Sequence, residues 1–354
     1  MTTNQSGTTL AEMGFSAFFT QQMTTGGQTS AAVARVLGVQ RSSVTLGTPE
    51  GVRSLALNKR WWALPAEDRP TVGDWVVVDG EHVLRTLERK SLLKRMAAGD
   101  KVDVQLIAAN VDTVFIVSSC NADFNPSRLE RYLAWVLEAR IDAVLVLTKA
   151  DLAADPEHYR NAARAVGRDL CIELVNACDD ATLGGVLGWC QPGQTVALLG
   201  SSGVGKSTLV NSLSGTDRQA TRGIREDDAR GRHTTTARSL HRLPSGAWLL
   251  DSPGIRELAL AGADAGMAAL FEDLDDLAKR CRFSDCSHGN EPGCAIASAL
   301  AVGTLDERRL TNYRKLQREE LRTRESLAER HRRVRAFAKQ VRRVNKEKNR
   351  HKPA

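Results

Sequence analysis

Gly200-Ser-Ser-Gly-Val-Gly-Lys-Ser207 fits the pattern G-x-x-x-x-G-K-[ST], and its flanks are those the pattern needs. The apolar run Thr195-Val-Ala-Leu-Leu199 precedes it, and Thr208-Leu-Val-Asn-Ser-Leu213, with helical spacing, follows. In that setting the backbone N–H groups of Gly200, Ser201, Ser202, Gly203, Val204 and Gly205 form a concave anion site at a helix N-terminus. Unpaired donors and the helix dipole both favour phosphate there. Lys206 reaches the β- and γ-phosphates, the Ser207 hydroxyl ligates Mg²⁺, and Thr208 completes the phosphate-binding set. The competing reading is a glycine-rich strand-to-helix turn that binds nothing.

Upstream, apolar strand-like runs alternate with helical stretches: Val114 to Val117, Leu129 to Ala139, Ala143 to Leu147, Tyr159 to Val166, Cys171 to Val175 and Leu183 to Trp189. This alternation predicts an α/β domain on a largely parallel sheet. Thr148-Lys-Ala-Asp151 follows the strand ending at Leu147 and fits [NT]-K-x-D. The Asp151 carboxylate can accept from guanine N1–H and N2–H, a donor pair that adenine lacks. Alone, such a segment reads as a strand-to-helix loop with an N-capping Asp. Asn176-Ala177, after the following strand, would hold the base O6 through a backbone N–H. Thr148 and Lys149 complete the base-side set.

Downstream, Thr216 to Arg232 is polar and without periodicity, and reads as a mobile loop. It leads into Gly231-Arg-His-Thr-Thr-Thr236, and then Ala247-Trp-Leu-Leu-Asp-Ser-Pro-Gly254 runs from a strand into D-x-x-G. Asp251 is expected to hold Mg²⁺ through water, Gly254 to touch the γ-phosphate and Thr235 to close over the metal. Taken by itself, D-S-P-G is an ordinary turn.

The rest of the chain reads as flanking modules. Residues 31–98 carry short β-type runs separated by Gly, Pro and Asp, the pattern of a small five-stranded barrel of OB type. Trp61, Trp62 and Trp75, beside Lys59 and Arg60, either stack on single-stranded nucleic acid or form barrel core. The first 30 residues, rich in Thr, Gln and Gly, read as a disordered tail without the features of a signal peptide. No run of about eighteen apolar residues appears, so no membrane association is expected. Seven cysteines, an odd number with four standing alone, argue against a disulfide framework and for a reducing cytoplasm.

Cys281, Cys286, His288 and Cys294 give C-x4-C-x-H-x5-C. Four N/S donors in so short a stretch suit one structural zinc ion in a closed Cys₃His tetrahedron, which would supply folding energy to a segment too small for its own core. A redox pair or chance clustering are the alternatives. From Asp306 onward the chain holds 18 Lys/Arg against 7 Asp/Glu, so this stretch carries +11 of a total of +7 and the remainder −4. A charge run is usually a solvated helix face; one this one-sided points to RNA phosphates.

The motifs are those of a Ras-like GTPase in permuted order, with the base-reading segments ahead of the phosphate loop. With a barrel before and a cysteine cluster after, the chain closely resembles the circularly permuted GTPases dependent on the small ribosomal subunit (the RsgA type). The expected fold is a circularly permuted α/β P-loop GTPase domain over residues 99–262. It lies between the OB-type β-barrel and a C-terminal zinc-binding module at 263–305, followed by a basic helical tail at 306–354. The resemblance implies a cytoplasmic monomer that binds GTP and GDP, and whose hydrolysis is stimulated by the small (30S) subunit. It also implies a role in late maturation of that subunit and contact with its 16S rRNA. Two positions depart from the general GTPase pattern: Thr148 stands for Asn, and Ile255 for the Gln that orients water. His233 is the candidate catalytic residue in that glutamine's place, an unengaged loop histidine being the alternative. Two rival functions remain at this point: a P-loop ATPase, and a zinc-stabilised RNA-binding protein that uses its nucleotide only as a sensor.

Overall fold

β-Branched runs broken by Gly and Pro give β1 (Ala32–Val39), β2 (Ser43–Thr48), β3 (Gly51–Ala56), β4 (Trp75–Val78) and β5 (Val83–Thr86) in the computed structural model. It describes residues 8–24, 32–40, 42–96, 104–215, 238–251, 263–289 and 291–323. The five strands are antiparallel in the order β3-β2-β1-β4-β5. A short helix, α2 (Lys59–Ala63), lies between β3 and β4 and is capped by Asn58, which accepts from the Arg60 N–H at 3.1 Å. Trp61, Ala34, Val36, Val44, Leu46, Val76, Val78 and Val83 share one core, with Leu55 of β3 packed against it. Among the described residues no ladder joins β3 to β5; the Arg53 guanidinium bridges that side by donating to the Gly80 carbonyl at 2.9 Å. Trp75 and Trp61 are buried and Trp62 is exposed, with the Arg69 guanidinium 5.8 Å from the centroid of its ring.

Residues 8–24 depart from the expected disordered tail. Thr9 and Glu12 form a capping box (Glu12 N–H to Thr9 Oγ1 3.2 Å, Thr9 N–H to Glu12 Oε2 2.8 Å), and α1 (Ala17–Thr24) follows. Met13 and Phe19 are fully buried, and the Phe15 and Phe19 rings lie 4.8 and 5.9 Å from Trp75. The polar average of this stretch conceals a local apolar cluster whose burial offsets the cost of ordering it.

After the two-stranded ribbon β6 (Leu92–Met96) and β7 (Val104–Ala109) come β8 (Thr113–Ser119), β9 (Asp142–Thr148) and β10 (Cys171–Leu174). Then follow β11 (Thr195–Leu199), β12 (Ser239–Arg242) and β13 (Trp248–Asp251). Their spatial order is β10-β9-β8-β11-β13-β12, parallel except for β12. Continuous Val, Leu and Ile runs suit strands covered on both faces. Helix α3 (Pro126–Glu138) starts at the Asn125 cap with Pro126 in its first turn and buries Leu129, Leu133 and Val136. Helix α4 (Pro156–Arg164) repeats the device with Asp155, and α5 (Gly184–Gly188) buries Val186. Helix α6 (Lys206–Ser214) leaves β11 directly. Counted from β11, the sheet reads 2-3-1-4-5-6, a doubly wound order entered at its fourth strand. Strand order reverses between β11 and β8, and the carboxyl ends on either side of such a point define a ligand crevice.

The five N-terminal strands and this sheet belong to one compact unit. Gly38 of β1 pairs with Ser239 of β12, and Arg35, 1% exposed, donates to the Met13 carbonyl and to Thr195 Oγ1, each at 2.5 Å. Its guanidinium lies between Trp75 and Trp248, 5.8 and 5.5 Å from their rings. Burial pushes the Arg35 pKa down to about 10 against the opposing charge of Asp112.

The second unit, chiefly Asp273 onward, holds most of α8 (Glu272–Ala278), α9 (Ala295–Val302) and a helix over residues 307–323; α7 (Asp264–Leu270) belongs almost entirely to the first unit. Arg309 clasps Asp273 through two bonds of 3.1 and 2.9 Å, and the Tyr313 hydroxyl donates to Asp275 at 2.8 Å. Among the described residues no helix is long and apolar enough to cross a membrane.

Candidate nucleotide site and metal cluster

Pairing fixes which residues meet at the crevice. Ser119 lies opposite Thr148, Leu199 opposite Ile116, and Ala197 opposite Leu250. The loop Gly200–Gly205, Thr148–Asp151 and Asp251 therefore all emerge at the carboxyl ends of neighbouring strands, as does Asn176 two residues beyond β10. Gly200 allows a close approach that a side chain would block: a Cβ there would stand 2.3 Å from the Val117 carbonyl oxygen. Gly205 has φ +90°, and its Cβ position is 3.2 Å from Thr148 Oγ1.

Thr148 is fully buried, and its Oγ1 lies 2.6 Å from the Val204 carbonyl oxygen and 3.1 Å from that of Ser118. It has one hydroxyl hydrogen to donate, and the shorter contact makes Val204 the principal acceptor. Lys149, at φ +59°, extends its Nζ to the Gly203 carbonyl at 2.9 Å. The two segments that the sequence leaves far apart are thus joined by two side chains of T-K-A-D. Asp151 is exposed in the next turn, which is tied to β10 by the Ala150 N–H and the Val175 carbonyl at 3.3 Å.

Asn176 forms its own turn, accepting from the Cys178 N–H at 2.9 Å. Ser212, on α6, donates to the Ala177 carbonyl at 2.6 Å. That link was not read from sequence; a hydroxyl on a helix one and a half turns past the phosphate loop was its only sign. Lys206 Nζ donates to the carbonyls of Gly200, at 2.7 Å, and Ser201. Ser207 is half-buried in the first turn of α6, and Asp251 is exposed at the end of β13. A hydroxyl and a carboxylate beside a phosphate loop are the hard oxygen donors that suit Mg²⁺. His233, Thr235 and Gly254, with the polar loop at 216–232, lie outside the described residues, as does the chain beyond residue 323.

Replacing Thr148 with Val keeps the shape but removes the hydroxyl, leaving the Val204 carbonyl short of a donor. The expected cost is about 1–3 kcal/mol of stability together with weaker nucleotide binding. Denaturant unfolding and nucleotide titration of the variant check both. Unchanged values in the two would mean that the bridge is incidental.

In the second unit the ligand atoms of Cys281, Cys286, His288 and Cys294 all lie within 4.8 Å of one another. Cys281 Sγ is 3.5 Å from His288 Nδ1 and 4.0 Å from Cys294 Sγ, and Cys294 Sγ is 3.8 Å from His288 Nδ1. Tetrahedral zinc with Zn–S of about 2.3 Å and Zn–N of about 2.0 Å requires edges of roughly 3.5–3.8 Å, so the donor set fits that ion. Burial would raise the Cys281 thiol, but the Ala295 and Ile296 N–H groups hold it below its ordinary value. For Cys286 the His288 N–H lowers the thiol, while burial and the neighbouring sulfurs push it up to about 11. Crowded sulfurs of this kind are relieved by a cation. The Arg314 guanidinium donates to the His288 carbonyl at 2.9 Å, and Glu291 accepts from the Ser287 and Gly289 N–H groups, fixing the turn between ligands.

A phosphate loop at the switch point of a 2-3-1-4-5-6 sheet, clamped to a T-K-x-D segment, defines a P-loop GTPase fold in circularly permuted form. Over 341 residues the chain is 46% identical to the "Small ribosomal subunit biogenesis GTPase RsgA 2" of Vibrio vulnificus, covering 96% of each. The chain belongs to the RsgA family of GTPases. The family model described as "RsgA GTPase" matches residues 86–261. A model described as "ABC transporter" matches residues 185–352, which include the phosphate loop, a feature common to P-loop NTPases. Among solved structures, YjeQ from Thermotoga maritima aligns with TM-score 0.60 at 22% identity, over 82% of this chain and 99% of that one. YloQ, titled a circularly permuted GTPase, gives TM-score 0.55 at 22% identity, over 83% and 96%.

Proposed function

We propose that this chain hydrolyses GTP to GDP and phosphate in step with late maturation of the small ribosomal subunit, acting as a cytoplasmic monomer on the subunit's 16S rRNA. The observation that carries the nucleotide half is the clamp of Thr148 and Lys149 onto Val204 and Gly203, which holds a guanine-type reading segment against a phosphate loop. The subunit half rests on the names of the full-length relatives.

Asp151 accepts from the guanine N–H pair, and Asn176-Ala177 offers a backbone donor to O6. The loop from Gly200 to Gly205 and Lys206 take the phosphates, with Thr208 behind them and Gly254 at the γ-phosphate. Ser207, Asp251 and Thr235 form the set that would hold Mg²⁺, which when bound screens the phosphate charge. Zinc is the metal for the Cys₃His cluster, and the basic chain after residue 330 takes RNA phosphates.

His233 stands in for the missing glutamine by orienting or deprotonating the attacking water. Replacing it with Ala should lower subunit-stimulated turnover by about 10²–10⁴-fold with GTP affinity unchanged. Stimulated turnover at the wild-type rate, measured under single-turnover conditions, would remove His233 from catalysis.

A further inference from the structure

Two peptide planes meet at Ala177, and each is held from its carbonyl side. The Asn176 carbonyl accepts from the Asp179 N–H at 2.9 Å. The Thr182 hydroxyl stands between the Asn176 and Asp179 carbonyls, at 2.9 and 2.8 Å, and accepts from the Asn176 N–H at 3.1 Å. On the next plane the Ala177 carbonyl accepts from Ser212 Oγ at 2.6 Å, and the Cys178 N–H donates to Asn176 Oδ1 at 2.9 Å. Ser212 Oγ is also 3.2 Å from the Thr208 carbonyl, but it has one hydrogen to give, and the shorter contact takes it. A trans peptide is planar with its N–H opposite its C=O, so holding these carbonyls sets the direction of the Ala177 N–H. Among the described residues nothing accepts from that N–H, although Ala177 is only 6% exposed. An open donor at so buried a position is available to a ligand acceptor.

Asn176, Asp179 and Thr182 belong to the turn itself. Ser212 belongs to α6, the helix whose first turn carries Lys206 and Ser207, and stands six residues beyond Lys206, about 9 Å along the axis. Ala177 shares one apolar core with Leu209 and Leu213 of the same helix. Apolar contact is non-directional: it holds the turn against α6 but not the rotation of a peptide plane. A hydrogen bond has a preferred angle and sets that rotation.

We infer that Ser212 is a specificity-determining positioning residue for the purine: its bond to the Ala177 carbonyl aims the Ala177 N–H at O6 of a guanine-type base. That role rests on the proposed assignment of this donor to O6, and it adds a side chain on the phosphate-loop helix that decides how well the donor performs. Adenine carries an amino group at the same position, a donor that meets the N–H head on. A well-aimed N–H therefore favours a 6-oxo purine and rejects a 6-amino one.

The test uses the full-length protein and the diphosphates GDP, IDP and 6-thio-GDP, titrated calorimetrically so that no turnover intervenes. IDP keeps O6 and lacks the 2-amino group. 6-thio-GDP keeps the N–H pair assigned to Asp151 and replaces O6 with sulfur, a weak acceptor. The wild type should bind GDP about tenfold more tightly than 6-thio-GDP. Ser212→Ala should lower the affinities for GDP and IDP by one common factor of about five to ten, and leave that for 6-thio-GDP within about twofold. Alanine is the best helix former, so α6 is not weakened, which denaturant unfolding checks. An equal loss for all three diphosphates would make Ser212 a structural tie and overturn the inference. Wild-type GDP affinity in the variant, or no wild-type preference for GDP over 6-thio-GDP, would overturn it too. In each of these cases a wild-type preference for GDP over ADP leaves the proposed function standing. Equal wild-type affinities for GDP and ADP would remove guanine reading, and the role of Ser212 with it.

Discussion

Asp151→Asn should lower affinity for GTP by at least about a hundredfold while leaving the weak affinity for ATP unchanged. A carboxylate offers two acceptors to the paired N–H groups of guanine; an amide replaces one acceptor with a donor, which meets one of those N–H groups head on. Adenine presents no such pair, so its binding has nothing to lose. Asp151 is exposed, whereas Thr148 and Lys149 beside it clasp the phosphate loop. The variant should therefore fold normally, and calorimetric titration with both nucleotides should report base selection alone. Equal affinities of the wild type for GTP and ATP would end the guanine assignment.

The second large effect concerns the metal. Among the described residues the buried apolar side chains of the second unit are few: Ala263, Leu274, Ile296, Ala299, Leu305, Leu310 and Leu316, besides the ligand Cys294. Such a core contributes little beyond the conformational entropy it must offset. Metal binding to a Cys₃His set carries apparent free energies of about 10 kcal/mol or more, enough to decide whether the unit folds. Chelation, or Cys294→Ser, should accordingly melt α8, α9 and the helix at 307–323 while the sheet of the first unit remains. Circular dichroism with zinc release followed in parallel would show two separate transitions. A single transition, identical with and without metal, would contradict a structural role.

What could be read from the chain alone follows from how locally it was encoded. The phosphate loop, T-K-A-D and the cysteine cluster are fixed spacings within a few residues, and the strands of the parallel sheet are uninterrupted apolar runs; all were legible. The bridge from Thr148 to Val204 spans 56 residues, and nothing in either neighbourhood announces it. Arg35 sits in Ala32-Val-Ala-Arg-Val-Leu37, where alternation would place a charge in solvent; it is buried because β1 abuts the start of β11, a tertiary fact. The folded stretch at 8–24 escaped notice because Leu10, Met13, Phe15, Phe18, Phe19 and Met23 are diluted by Thr, Gln and Gly. The five N-terminal strands were legible, whereas their pairing was not, since antiparallel neighbours are set by twist and turn geometry rather than by composition.

The central claim is that a permuted guanine-nucleotide site does its work on the small subunit. Multiple-turnover GTP hydrolysis, measured with and without purified small subunits, tests it most directly. The expected result is slow turnover by the free protein, because Ile255 cannot orient water, and an increase of at least about a hundredfold with small subunits. Turnover that is equally slow in both conditions, with GTP still bound, would contradict the account and leave the site as a nucleotide sensor.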